Sequence, residues 1–94
     1  MIQITRSEIE DEIRLREKII SQCNRVIDEN NVLIKQKWAE IKDFVDGNSA
    51  EKARAGGEFI VQKKKEIRDR QTEIKRKEAQ IADLKAKLKF KDNH

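Results

Sequence analysis

IRLREKIISQCNRVIDENNVLIKQKWAEI, residues 13–41, begins and ends on isoleucine and returns to it at every seventh position: Ile13, Ile20, Ile27, Ile34, Ile41. Seven residues make about two helical turns, so side chains at this spacing stay on one seam of a supercoiled helix. The pattern recurs downstream as Ile60, Ile67, Ile74 and Ile81, closed by Leu88. Two such ladders predict an all-α fold: a long antiparallel two-helix hairpin, coiled-coil-like, with helices over about 6–45 and 50–90. Matching ladder to ladder folds the chain near residues 50 and 51 and sets residue i level with 101 − i. Ile41 then meets Ile60, Ile34 meets Ile67, Ile27 meets Ile74, Ile20 meets Ile81 and Ile13 meets Leu88. These residues are the expected hairpin core. In the same register Asn30 lies level with Gln71, a polar layer that costs stability but fixes alignment, and Phe44 lies level with Gly57.

Working outward, Thr5 with Glu8 three residues later reads as a capping box, with Ser7 and Glu10 as the alternative. Asp46-Gly47-Asn48-Ser49 is the turn signal between the ladders. Gly47 is expected at the left-handed position after helix 1. Asn48 with Glu51 is expected to cap helix 2, Ser49 being the alternative. Gly56-Gly57 falls inside helix 2, where each glycine costs about 1 kcal/mol relative to alanine. A continuous or slightly kinked helix is expected there, ending in a frayed Asp92-Asn93-His94 tail.

A 94-residue chain makes one domain at most, here a single hairpin over 1–94. Charged residues make up 43% and hydrophobic residues 36%, a balance that suits solvated helices rather than a compact globule. Residues 1–62 carry 10 basic and 12 acidic side chains, whereas residues 63–91 carry 12 and 5, so positive charge gathers in the second helix. No stretch approaches the roughly 18 to 20 apolar residues of a membrane span. Met1-Ile2-Gln3-Ile4-Thr5 lacks the basic start and apolar run of a signal peptide, so the chain is expected in the cytoplasm, with export only by a route that accepts folded helical substrates.

No catalytic pattern stands out, and no enzymatic activity, metal or cofactor is expected. Cys23 sits among Ile19, Ile20, Val26 and Ile27 and reads as a small buried hydrophobe. His94 is the only histidine and has no ligand-forming neighbour in sequence. The carboxylates alternate with Lys and Arg at ion-pairing spacings. Lys63-Lys64-Lys65, Arg68, Arg70 and Lys75-Arg76-Lys77 form a basic stretch, but acids interrupt it and no aromatic residue is interleaved for base stacking, so nucleic acid is the lesser reading.

The informative excess is on helix 1. Ile19, Val26 and Leu33 repeat at seven residues beside the main ladder, widening the apolar arc to roughly 160°, more than one thin partner helix covers. Trp38 lies on the ladder side, either as a core residue near the turn or as an anchor for a partner. Ile19, Val26, Leu33 and Trp38 are therefore the candidate partner-binding residues, with Gly47 and Asn48 forming the turn.

The opening Ile2-Gln3-Ile4-Thr5-Arg6-Ser7-Glu8-Ile9, Trp38 before the turn, and Gly47, Ala50 and Ala53 at and after it resemble the WXG100 (ESAT-6-like) superfamily and the related small helical partners of LXG-type toxins. The resemblance implies a bacterial helical hairpin that forms homo- or heterodimeric bundles in type VII secretion. Trp38 is followed by Ala39-Glu40, so Trp-x-Gly is absent, and there is no tyrosine for the family's C-terminal export motif. What it implies is accordingly an accessory or targeting partner of a larger effector, whose helical segment docks on helix 1. The alternatives are a self-associating structural coiled coil, as a homodimer, and a basic hairpin that binds nucleic acid.

Overall fold

The computed structural model describes residues 4–93, with side-chain surroundings through Lys91. It contains two α-helices, α1 (Arg6–Asp46) and α2 (Ala50–Asn93), which form the expected helical hairpin. Thr5 is the N-cap of α1: its Oγ1 accepts the Glu8 N–H at 3.1 Å, satisfying one of the donors a helix start leaves open. The helix therefore begins two residues before the Ser7 alternative would start it. α2 continues through Asp92 and Asn93 rather than fraying there, while His94 and the first three residues lie outside the described residues.

The turn departs from expectation in one detail. The left-handed residue is Asn48 (φ 61°), not Gly47. Asn48 N–H donates to Val45 O at 3.1 Å and Ser49 N–H to Phe44 O at 2.7 Å. These two bonds are the pair that closes a Schellman motif, with Asn48 at the position glycine usually fills. Asparagine tolerates that conformation better than other non-glycine residues. Asn48 is thus spent on ending α1. Ser49 precedes α2, and its carbonyl accepts the Ala53 N–H at 3.0 Å.

Contacts group the hairpin into two compact units, each built from both helices. A terminal unit joins α1 up to Cys23 with α2 from Gln71 onward, and a turn unit spans Asn24–Arg70.

In the terminal unit, Ile9, Ile13 and Ile81 form the buried core, with Ile20, Leu84 and Leu88 packed against it. Cys23 is buried as expected, and Ile9, outside the ladder, is the most deeply buried of the described side chains. Arg16 Nε donates to Gln80 Oε1 at 3.0 Å across the helices.

In the turn unit, Ile60 is buried and Ile27, Ile34, Ile41 and Ile67 are half-buried. Asn30 is buried too, and its Nδ2 donates to Glu66 Oε2 at 3.0 Å. Gly56 lies under Ile41: a Cβ added to it would come within 2.6 Å of Ile41 Cγ1. α2 runs through Gly56 and Gly57 unbroken.

These contacts correct the register. In Arg16–Gln80, Asn30–Glu66 and Lys37–Phe59 the residue numbers sum to 96, and in Ile41–Gly56 to 97, not 101. Asn30 meets Glu66 rather than Gln71, which is exposed, and the close approach falls at Gly56 rather than at Gly57 beneath Phe44. The cause is the tight turn: α1 ends at Asp46 and α2 starts at Ala50, so the fold-back is centred on Asn48.

The shift changes what each isoleucine faces. Residues level with the ladder are now those three or four positions off it. In the turn unit Ile34 is level with Lys63, and Ile60 with Lys37; in the terminal unit Ile20 is level with Lys77, and Ile81 with Arg16. The side chains of Arg16, Lys37, Lys63 and Lys77 are only 23%, 27%, 22% and 19% exposed. Their aliphatic stems fill the seam while their charged ends reach its edge. There Arg16 pairs with Glu12, Lys37 with Glu40, Lys63 with Glu66 and Lys77 with Glu73. In these layers the seam sets isoleucine against a cation stem, whereas around Ile9, Ile13 and Ile81 in the terminal unit it stays aliphatic against aliphatic.

Candidate partner-binding flanks

A two-helix seam has two open sides, and seven-residue spacing assigns each α1 residue to one of them. Val26, Leu33 and Glu40 directly precede seam isoleucines. Asn31, Trp38 and Val45 directly follow the alternate seam residues Asn30, Lys37 and Phe44. At about 3.5 residues per turn, Leu33 and Trp38 point roughly 150° apart. Trp38 is 54% exposed, so it is neither a core residue nor a neighbour of Val26 and Leu33. The four candidate partner-binding residues consequently do not form one patch: Ile19 is half-buried in the terminal unit, Val26 and Leu33 lie on one flank of the turn unit, and Trp38 lies on the other.

The Leu33 flank of the turn unit carries Phe59, clasped between Lys37 Nζ at 4.8 Å and Lys63 Nζ at 5.4 Å from its ring centroid. Lys52 lies 5.7 Å from the Phe44 ring. Cations over aromatic faces are attracted by the ring quadrupole, by about 0.5–1 kcal/mol at exposed sites. Phe44, Ala55, Gly56 and Phe59 floor a shallow pocket of about 320 Å³ here.

The Trp38 flank has the larger opening, a groove of about 530 Å³. Ile34, Val61 and Ile67 line it, with Asn31, Lys64 and Arg68 at its edge. Val45 and Val61, 58% and 66% exposed, add apolar surface on this side.

Charge divides the turn unit the same way. The Trp38 flank and the row outside it hold Lys35, Lys42, Arg54, Lys64 and Arg68 against Asp28. The Leu33 flank and its outer row hold Glu29, Glu40, Asp43, Glu66 and Asp69 against Lys52. Glu40 and Glu66 are neutralised by the seam lysines, leaving Glu29, Asp43 and Asp69 against Lys52. Lys35, Lys42, Arg54 and Lys64 make no ion pair with a described residue. The width of an apolar arc does not say on which side of the seam each of its residues falls, so both flanks share one arc in the sequence. The signal was present as the offset of Trp38 from Lys37 and of Leu33 from Ile34.

In the terminal unit, Leu15 is 53% exposed, and Ile4, Ala86, Lys87, Phe90 and Lys91 border a separate groove of about 490 Å³. Among the described residues no helix is long and apolar enough to cross a membrane. Comparison with protein-family models, with curated proteins and with solved structures finds no match to this chain.

Proposed function

We propose that this protein is a non-enzymatic interaction module whose hairpin supplies two helices to a larger helical bundle. The observation that carries the reading is the exposure of Trp38, Val45, Val61 and Leu33 around a seam that one hairpin leaves open on both sides. The finer reading, an accessory or targeting partner of a type VII secretion effector, rests on the sequence resemblance. In that role the hairpin binds a helical segment of the effector and travels with it. Co-expression with the helical segment of a large effector encoded by a neighbouring gene tests it. A stable one-to-one complex that Val26→Lys or Trp38→Ala weakens is expected; two separately purifying proteins would refute it.

A second reading, self-association as a structural coiled coil, draws on a specific observation: the two flanks of the turn unit carry opposite charge. Mass in solution across concentration, with Val26→Lys beside the wild type, separates the two.

A further inference from the structure

We infer that the turn unit is built to bind a second copy of this chain side by side, the Trp38 flank of one copy against the Leu33 flank of the next. The inference rests on the reading of the hairpin as an association module and names a partner for it.

The occupant follows from charge. A dimer pairing like flanks would set Lys35, Lys42, Arg54 and Lys64 against themselves, or Glu29, Asp43 and Asp69 against themselves. Like charges facing each other oppose association. Pairing unlike flanks removes that opposition, and both flanks already carry apolar surface.

The register supplies a second argument. Residues whose numbers sum to 96 or 97 lie level across the hairpin. Arg54 is thus level with Lys42 and Asp43, Arg68 with Glu29 and Asp28, and Phe59 with Trp38. Place two hairpins side by side in the same orientation with no slip along their length. Lys42 of the first copy then stands opposite Asp43 of the second along α1, and Arg68 opposite Asp69 along α2, while Arg54 stands opposite Lys52. Trp38 of the first stands opposite the Phe44–Phe59 pocket of the second. Lys42, Arg68 and the aromatic knob find their counterparts at one alignment, with Arg54 against Lys52 as its like-charged contact.

Such an interface joins two different patches, so each added copy presents a fresh unlike flank. Associations of this kind grow as rings or open arrays rather than stopping at a symmetric dimer.

The test uses the full chain and two double variants at exposed positions. Lys35→Glu/Lys42→Glu reverses the basic flank along α1, and Glu29→Lys/Asp43→Lys reverses the acidic one. Circular dichroism verifies that each keeps its helix content. Light scattering at roughly 0.01 M salt, where the screening length is about 30 Å, reads the mass across concentration. The wild type is expected to rise past twice its 11.1 kDa chain mass without reaching a plateau. Each variant alone is expected to stay near chain mass until roughly tenfold higher concentration, because like charges now face each other. An equimolar mixture of the two regains association.

Trp38, the only tryptophan, gives an independent readout. Its emission is expected to move to shorter wavelength in the wild type and in the mixture as concentration rises, and to stay put in each variant alone. A wild type that remains at chain mass, or a closed dimer indifferent to both reversals, overturns the inference. If that monomer nevertheless forms the complex with the co-expressed effector segment, the association reading stands without self-pairing; if it does neither, both fall.

Discussion

Gly56 and Gly57 are adjacent residues in one helix, yet alanine should stabilise only at the second. Both have helical backbone, neither with a positive φ, so each replacement gains about 1 kcal/mol of helix propensity. At Gly57 nothing lies within 4 Å of the added Cβ, so the gain is kept. At Gly56 the Cβ would meet Ile41 Cγ1 at 2.6 Å and Cδ1 at 3.0 Å. Cγ1 is the near end of a branched side chain and has little room to yield. Overpacking of this kind costs about 1–3 kcal/mol, so Gly56→Ala is neutral to about 2 kcal/mol destabilising. The two variants should differ by about 1–3 kcal/mol, or at least about 4 °C in melting temperature for a chain of this size. Thermal and urea unfolding followed by circular dichroism measures the gap. Ile41→Ala in the same chain removes the colliding atoms, so Gly56→Ala added to it should become stabilising. The ladder-on-ladder register predicts the reverse order, since it places Gly57 under Phe44. Equal gains at both glycines, or a larger loss at Gly57, would refute the observed alignment.

Three further outcomes follow from the same structure. Asn30→Ala should cost about 1–2 kcal/mol in urea unfolding, because it removes the buried Asn30 amide and its part-buried hydrogen bond to Glu66. Thr5→Ala should cost about 1 kcal/mol through loss of the N-cap, read as lower helix content and an earlier melt. Asn48→Gly should be neutral or slightly stabilising, and Asn48→Ala should lose about 1–2 kcal/mol, because only the former accepts a positive φ without strain.

The helices, the turn and the seam were legible in the sequence, since seven-residue spacing and a single turn signal determine them almost alone. Their alignment was not. The ladders invite isoleucine to face isoleucine, and hydrophobic matching gives no hint that a lysine stem will do instead. Arg16, Lys37, Lys63 and Lys77 hold seam positions because their methylenes pack while their ends pair with Glu12, Glu40, Glu66 and Glu73 at the edge. A polarity scale counts such residues as surface. The separation of Trp38 from Val26 and Leu33 was legible in principle, but only once the alternate seam row was known. Ile9 runs beside the isoleucine ladder, in the row of Cys23 and Phe44, so the ladder alone does not mark it as core.

The Asn48 turn also bears on the order in which the chain folds. Its bonds join residues at most five apart, whereas the ladder residues that would match best lie 19 to 75 positions apart. Local closures form in tens of nanoseconds to microseconds, long before distant contacts meet. A chain that closes Asn48 first and zips outward never samples the ladder-on-ladder pairing, which would draw helical residues into the loop. Three residues between the helices thus decide a competition that ten apolar side chains, left to themselves, would settle differently.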